Sequence, residues 1–178
     1  DSSTIFIKPL PIVNLGQDLS YCLNDSIQIS FPSIQGQSYL WSPNYLINNI
    51  TVSNPIIYSL IDTVYILALT DSNSCTNLDS ISVFINDLPN LDILGQDTSC
   101  SGDSLVLLGS GADSVYNWSP NQFISNNNIA NPTIYPDSTS YYFMTGTNLN
   151  GCSNTDSCLL YTSPSPRDLS TSRMPSSA

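Results

Sequence analysis

Apolar and polar side chains alternate along short stretches of this chain. Ile27-Gln28-Ile29-Ser30-Phe31 keeps a strict period of two, and Ser80-Ile81-Ser82-Val83 repeats it. That period puts every second side chain on one face, the pattern of a strand with one side buried. Val64-Tyr65-Ile66-Leu67-Ala68-Leu69 is instead a continuous run of mostly β-forming residues and predicts a central strand. The segments between these runs are rich in Asn, Asp, Ser, Gly and Pro, which favour turns. No stretch combines a helical apolar stripe with helix caps. The pattern predicts an all-β chain.

The strand pattern occurs twice. Leu10-Pro11 returns as Leu88-Pro89, Gly16-Gln17-Asp18 as Gly95-Gln96-Asp97, and Cys22 as Cys100. Asn24-Asp25-Ser26 matches Gly102-Asp103-Ser104, and Trp41-Ser42-Pro43-Asn44 matches Trp118-Ser119-Pro120-Asn121. Asn54-Pro55, Tyr65, Cys75 and Asp79-Ser80 reappear as Asn131-Pro132, Tyr142, Cys152 and Asp156-Ser157. The offset stays between 77 and 79 residues throughout. In the same register Asp1 to Ile7 aligns with Asp79 to Ile85, so residues 1–9 read as the last strand of a preceding copy. Residues 10–87 then form repeat 1 and 88–157 a truncated repeat 2. About seven short strands in each copy point to two tandem immunoglobulin-like antiparallel β-sandwiches. In such sandwiches Trp41, Trp118, Tyr65 and Tyr142 are the expected core aromatics.

Composition narrows the function. Hydrophobic residues make up 40% of the 178, enough for a packed core, whereas charged residues are only 10%. Lys and Arg number 3 against 14 acidic residues, a formal charge of −11, and every acid is Asp. No basic patch can form to neutralise phosphates, which excludes nucleic-acid binding. No apolar run is long enough to cross a bilayer, so no membrane insertion is expected. The acidity reads first as solubility. A weak calcium site in an Asp-bearing loop is the one cofactor reading it leaves open.

The chain has no His. This removes a Ser-His-Asp triad, a Cys-His pair and His-based metal sites. Paired Asp carboxylates could serve glycoside hydrolysis, but these Asp residues sit beside turn residues and recur in both copies, which points to structure. No enzyme activity is expected. Cys22, Cys75, Cys100 and Cys152 are spaced too widely for a CxxC zinc or redox site and read as disulfide cysteines. Pairing within each copy, Cys22 with Cys75 and Cys100 with Cys152, is favoured because a module carrying its own bridge can be duplicated freely. Linkage between neighbouring copies remains open. It would pair Cys22 with Cys152 and leave Cys75 and Cys100 for other copies. Tyr39 and Tyr116 stand two residues before Trp41 and Trp118, on the same face. Such aromatics can stack on sugars, although a single Trp per sandwich is more often its core plug. Three glycosylation sequons begin at Asn24, Asn49 and Asn117.

The ordered set Leu-Pro, Gly-x-Asp, Cys-x-x-Asp-Ser, Tyr-x-Trp-Ser-Pro, Asn-Pro, Tyr, Cys, Asp-Ser resembles the PKD-like or immunoglobulin-like repeats of Bacteroidetes surface proteins. The resemblance spans Asp1 to Ser157. It implies an extracellular or cell-surface location, export by the type IX system, and the gliding-motility-associated class of secreted proteins. It also implies a spacer or adhesin stalk whose partners are neighbouring repeats and surface glycans or proteins. Asn24 and Ser74 stand where those repeats usually have Gly, which marks both as candidates for positive φ.

Residues 158–178 leave the repeat pattern. Cys158 to Asp168 resembles a translated transposase-type sequencing adapter, and Ser172 to Ala178 resembles a translated flow-cell primer. The stretch is read as an artefact tail. Cys158 thereby leaves the cysteine count, and two cysteines remain in each copy.

Overall fold

The computed structural model describes residues 7–95 and 97–163. The strand expected over residues 1–7 lies, apart from Ile7, outside the described residues, as do positions 164–178. The chain divides into two compact units between Asp87 and Leu88. The described residues contain strands and turns and no helix.

Unit 1 holds β1 (Leu19–Cys22), β2 (Ile27–Gln28), β3 (Ser38–Ser42), β4 (Ile56–Ile57), β5 (Thr63–Thr70) and β6 (Thr76–Asn86). One sheet runs β1-β6-β5-β3 and the other pairs β2 with β4. β1 lies parallel to β6, with Leu19 opposite Val83 and Cys22 opposite Asn86. β5 is antiparallel to both β6 and β3. Its run of apolar residues is central in the sheet but not buried on both sides. Tyr65, Leu67 and Leu69 are fully buried, while Val64 and Ile66 face outward at 53% and 39% exposure. The period of two therefore governs this strand as well.

Unit 2 repeats the plan with β7 (Asp92–Leu94), β8 (Thr98–Cys100), β9 (Leu105–Val106), β10 (Leu108–Ser110), β11 (Val115–Ser119), β12 (Thr133–Ile134), β13 (Ser140–Thr147) and β14 (Ser153–Ser163). Its larger sheet runs β11-β13-β14-β8, with β8 parallel to β14. β9 pairs with β12, and β10 with β7. The sequence suggests about seven strands per copy. Unit 1 has six among its described residues and unit 2 has eight. The β7–β10 pair accounts for the difference. Ser110, opposite Asp92 in that pair, corresponds to Pro32 in unit 1. A proline has no N–H to give to a ladder, so the equivalent pair does not form.

The two cores are built on one scheme and filled differently. Trp41 and Trp118 are each 1% exposed. Their indole Nε1 atoms donate to the Val52 and Ile129 carbonyls, both at 2.8 Å. In unit 1, Phe31 meets Tyr39 edge-on, with ring centroids 6.2 Å apart. Unit 2 has Gly109 at the place of Phe31, and Met144, in place of Leu67, moves into the space beside Trp118. Gly146 likewise replaces Leu69, and the Leu91 side chain covers it.

β14 carries a second departure from expectation. The repeat does not stop at residue 157. Cys158 to Ser163 continues β14, pairing with β13 on one side and β8 on the other. The stretch C-L-L-Y sets Leu160, at 1% exposure, where unit 1 has Val83. The fit is incomplete at Cys158, which replaces the buried Ile81. A cavity of about 120 Å³ lies there, lined by Ile93, Leu107, Cys158 and Leu160 among others. Cys158→Ile should fill part of it and raise the stability of unit 2 by about 1 kcal/mol. Thermal unfolding of the variant beside the parent chain measures the gain, and an unchanged or lower midpoint would show the cavity to be closed to a larger side chain.

The tight turns before the last strand and after β1 explain another pair of substitutions. Asn24 has φ 71° and Ser74 φ 63°, both left-handed. The equivalent residues of unit 2 are Gly102 and Gly151, at φ 83° and 80°. Glycine holds this conformation without a Cβ penalty, Asn tolerates it, and Ser is the worst suited of the three. Ser74→Gly is expected to stabilise unit 1 by about 0.5–1 kcal/mol, read as an increase in the denaturant midpoint at unchanged m-value.

Candidate functional site

The residues with chemical potential fall into three groups: cysteines, repeated carboxylates and aromatics. The cysteines depart most from expectation. Cys22 and Cys152 are disulfide-bonded, whereas Cys75, Cys100 and Cys158 are free thiols. The favoured pairings Cys22–Cys75 and Cys100–Cys152 are therefore absent, and topology gives the reason. Because β1 is parallel to β6, Cys22 lies beside Asn86 at the end of that strand. Cys75 immediately precedes Thr76 at its start, and β6 is 11 residues long. The two are separated by roughly 35 Å at about 3.3 Å per residue, and a disulfide needs Cα atoms within about 7 Å. Unit 2 has the same geometry: Cys100 lies opposite Ser163, and Cys152 precedes Ser153 at the far end of β14. The bonded pair of residues, Cys22 and Cys152, and the free pair, Cys75 and Cys100, each include one residue from each of the two cysteine positions of the repeat. The sequence carried no sign of the parallel pairing of β1, which decides the question.

The repeated carboxylates hold backbone. Asp79 Oδ2 accepts the Leu15 amide at 2.7 Å and its Oδ1 accepts the Ser80 amide at 2.9 Å. Asp156 does the same with Ile93 at 3.0 Å and Ser157 at 2.8 Å. Each Asp ties the leading segment of its copy onto the last strand. Asp18 and Asp62 accept the amides of Ser82 and Ile85, both at 2.8 Å. Among the described residues no three His, Cys, Asp or Glu side chains gather as a metal site would require.

Asp71 shows what such a carboxylate contributes. Its Oδ1 accepts the amides of Cys75 at 2.9 Å and Asn73 at 2.8 Å. The Cys75 amide, assisted by Asn73 and Lys8, holds its carboxyl below the ordinary value of 3.8. In unit 2 Asn148 makes the same two bonds, to Cys152 and Asn150, each at 3.0 Å, so the turn needs an acceptor and not a charge. A depressed acid favours the folded state above its unfolded pKa, and that contribution disappears as pH falls through the folded value. Asp71→Asn should therefore flatten the acid limb of unit 1 unfolding below about pH 4. A pH series of denaturant midpoints checks this, and an unchanged slope would place the acid sensitivity elsewhere.

The aromatics separate into buried and exposed sets. Trp41 and Trp118 are enclosed and cannot stack on a ligand. Tyr65 is fully buried, and its hydroxyl donates to the Tyr45 carbonyl at 2.7 Å. Tyr142 is 2% exposed. Burial pushes both phenols up from the ordinary value of 10.0. The exposed set is different and was missed in the sequence. Tyr141 and Phe143 stand on the outer face of β13 at 57% and 43% exposure, stacked with centroids 6.2 Å apart and planes at 24°. The signal was available in Ser140-Tyr141-Tyr142-Phe143-Met144. Once Tyr142 is placed inside, its neighbours must face out. Unit 1 has Val64 and Ile66 at these places, so the aromatic pair belongs to one copy only.

No protein-family model matches the chain, and no curated protein is significantly similar to it. Solved structures are similar to it in fold. A structure of the N-terminal eight Ig domains of Down Syndrome Cell Adhesion Molecule aligns over 83% of this chain at 14% identity and a TM-score of 0.53. The fold is immunoglobulin-like. The present chain spans 24% of that structure's length. The N-terminal Ig1-2 module of the Drosophila receptor protein tyrosine phosphatase DLAR aligns over 83% of this chain and 95% of its own, at 12% identity and a TM-score of 0.35. The insect immune protein hemolin aligns over 84% of this chain and 46% of its own, at 12% identity and a TM-score of 0.39. Within the immunoglobulin-like frame, β1, β6, β5 and β3 form one sheet of the sandwich in unit 1, and β8, β14, β13 and β11 form its counterpart in unit 2.

Proposed function

We propose that the chain is a non-catalytic, extracellular repeat module of a larger secreted or cell-surface protein, where it serves as a spacer or adhesive stalk. One observation carries this reading. Four of the side chains that recur between copies, two carboxylates and two indoles, are engaged inside their own copy. Asp79 and Asp156 clasp backbone, and Trp41 and Trp118 bond loop carbonyls. A residue kept for its neighbours within the repeat is not presented to a ligand. The disulfide-bonded state of Cys22 and Cys152 supports an oxidising, extracellular setting. The ordered motifs resembling Bacteroidetes PKD-like repeats support a cell-surface array exported by the type IX system. One structural neighbour is by name a cell adhesion molecule, which agrees with partners that are other repeats or surface proteins.

A second reading has its own observation. The exposed Tyr141–Phe143 pair is a flat apolar platform of the kind that sugars stack on. Under this reading unit 2 binds surface glycans. A glycan array probed with the full chain, with and without calcium, decides between the two. The spacer reading expects no glycan signal and no effect of calcium. A signal abolished by Tyr141→Ala or Phe143→Ala would replace it with the glycan reading.

A further inference from the structure

The two cysteine positions of the repeat behave alike in space and differently in chemistry. One position ends the first strand of the parallel pair and holds Cys22 in unit 1 and Cys100 in unit 2. The other precedes the last strand and holds Cys75 and Cys152. At each position one copy carries a bonded cysteine and the other a free thiol. The bonded residues are Cys22 and Cys152, one of each kind. The free ones, Cys75 and Cys100, are again one of each kind. Both free residues are only half-buried: Cys75 in the turn between β5 and β6, and Cys100 at the end of β8. The length of the last strand keeps them from the other cysteine of their own copy.

We propose that Cys75 and Cys100 are half-cystine positions that bond to further copies of the repeat. Cys75 takes a cysteine at the end of a first strand, and Cys100 takes one preceding a last strand. The proposal rests on the tandem-array reading above and gives the array a covalent link at every copy. The step balances as an oxidation. Two thiols, one from each copy, react with one small-molecule disulfide such as oxidised glutathione. A new S–S bond forms between the copies, the S–S bond of the oxidant breaks, and two protons and two electrons leave in two molecules of reduced thiol. The partner is recognised by position, because cysteines of like kind are not the combination found in the bonded set.

The chain itself supplies both reactants, since Cys75 of one molecule can meet Cys100 of another. The test uses the full chain with Cys158→Ile, which removes the third free thiol, held in a glutathione redox buffer. The expected result is a ladder of species above the monomer on a non-reducing gel, abolished by reductant. Peptides released by pepsin should be joined Cys75 to Cys100. Cys75→Ser and Cys100→Ser should each remove every species above the monomer, and so should maleimide blocking of the unmodified residues. A chain that stays monomeric with both thiols open to alkylation would overturn the proposal. So would a ladder joined mainly Cys75 to Cys75 and Cys100 to Cys100. Neither outcome bears on glycan binding, so the failure of this proposal and the failure of the spacer reading are read separately.

Discussion

Trp41→Ala is expected to destabilise unit 1 by about 3–5 kcal/mol. The indole is 1% exposed and fills the space between the two sheets. Its removal leaves a cavity that the surrounding strands cannot close, because β3 is held in register with β5 from Ser38 to Ser42. A second cost adds to the cavity. The Val52 carbonyl loses the indole donor at 2.8 Å and stays in a part-buried place without it. A small domain has only about 5–15 kcal/mol of stability, so this loss consumes much or all of it. Two unfolding transitions should become resolvable by calorimetry, with that of unit 1 displaced downward and that of unit 2 unmoved. Trp41→Phe, which keeps bulk and loses the N–H, should retain part of the difference. A single unshifted transition would show that Trp41 is not the centre of its core.

Gly109→Ala should cost unit 2 about 2–3 kcal/mol, although it adds a single methyl group. A Cβ on Gly109 would meet the Ala130 carbonyl oxygen at 2.8 Å and the Trp118 ring at 2.9 Å, and would collide with the Met144 sulfur. The thioether can turn aside. The carbonyl cannot, because it accepts the Gly109 amide at 2.9 Å and fixes the local spacing. Phe31 occupies the equivalent place in unit 1, packed edge-on against Tyr39, so the repeat as such does not forbid a side chain here. The constraint comes from the particular filling of unit 2. Gly109→Ala combined with Met144→Leu, the unit 1 residue, should recover part of the loss. A Gly109→Ala chain as stable as the parent would mean that the backbone at Ala130 yields.

Period and repeat together made most of the architecture readable. The alternation at Ile27 to Phe31 and Ser80 to Val83 placed the inward residues, and the 77-to-79 offset made the repetition of the plan visible. Such features are local, or nearly so, and the chain states them directly. The disulfide arrangement was only partly readable: linkage between copies stood open beside the favoured pairing within each copy, and the choice depends on the direction in which β1 meets β6, a contact across about 64 residues that leaves no mark in either strand. The Tyr141–Phe143 platform was partly readable. Its residues are plain in the sequence and the repeat already sets Tyr142 inside as the counterpart of Tyr65, but the stacking of the outward Tyr141 and Phe143 rings depends on side-chain rotamers that the sequence does not state. The one strand pair that unit 1 lacks among its described residues turns on a single residue, Pro32, whose effect is obvious only once its partner strand is known.

The parallel run of β1 beside β6 also governs how a copy answers to pulling. The chain enters β1 at Leu19 and leaves β6 at Asn86, and these two points lie at opposite ends of the paired segment. Tension on the chain therefore slides one strand along the other. The bonds of the ladder are loaded side by side and must yield together, whereas a hairpin pulled from its open end gives way one rung at a time. The Asp79 clasp on Leu15 and the Asp18 clasp on Ser82 lie on the same load path and add to this resistance. A module of modest equilibrium stability can in this way hold its length under force.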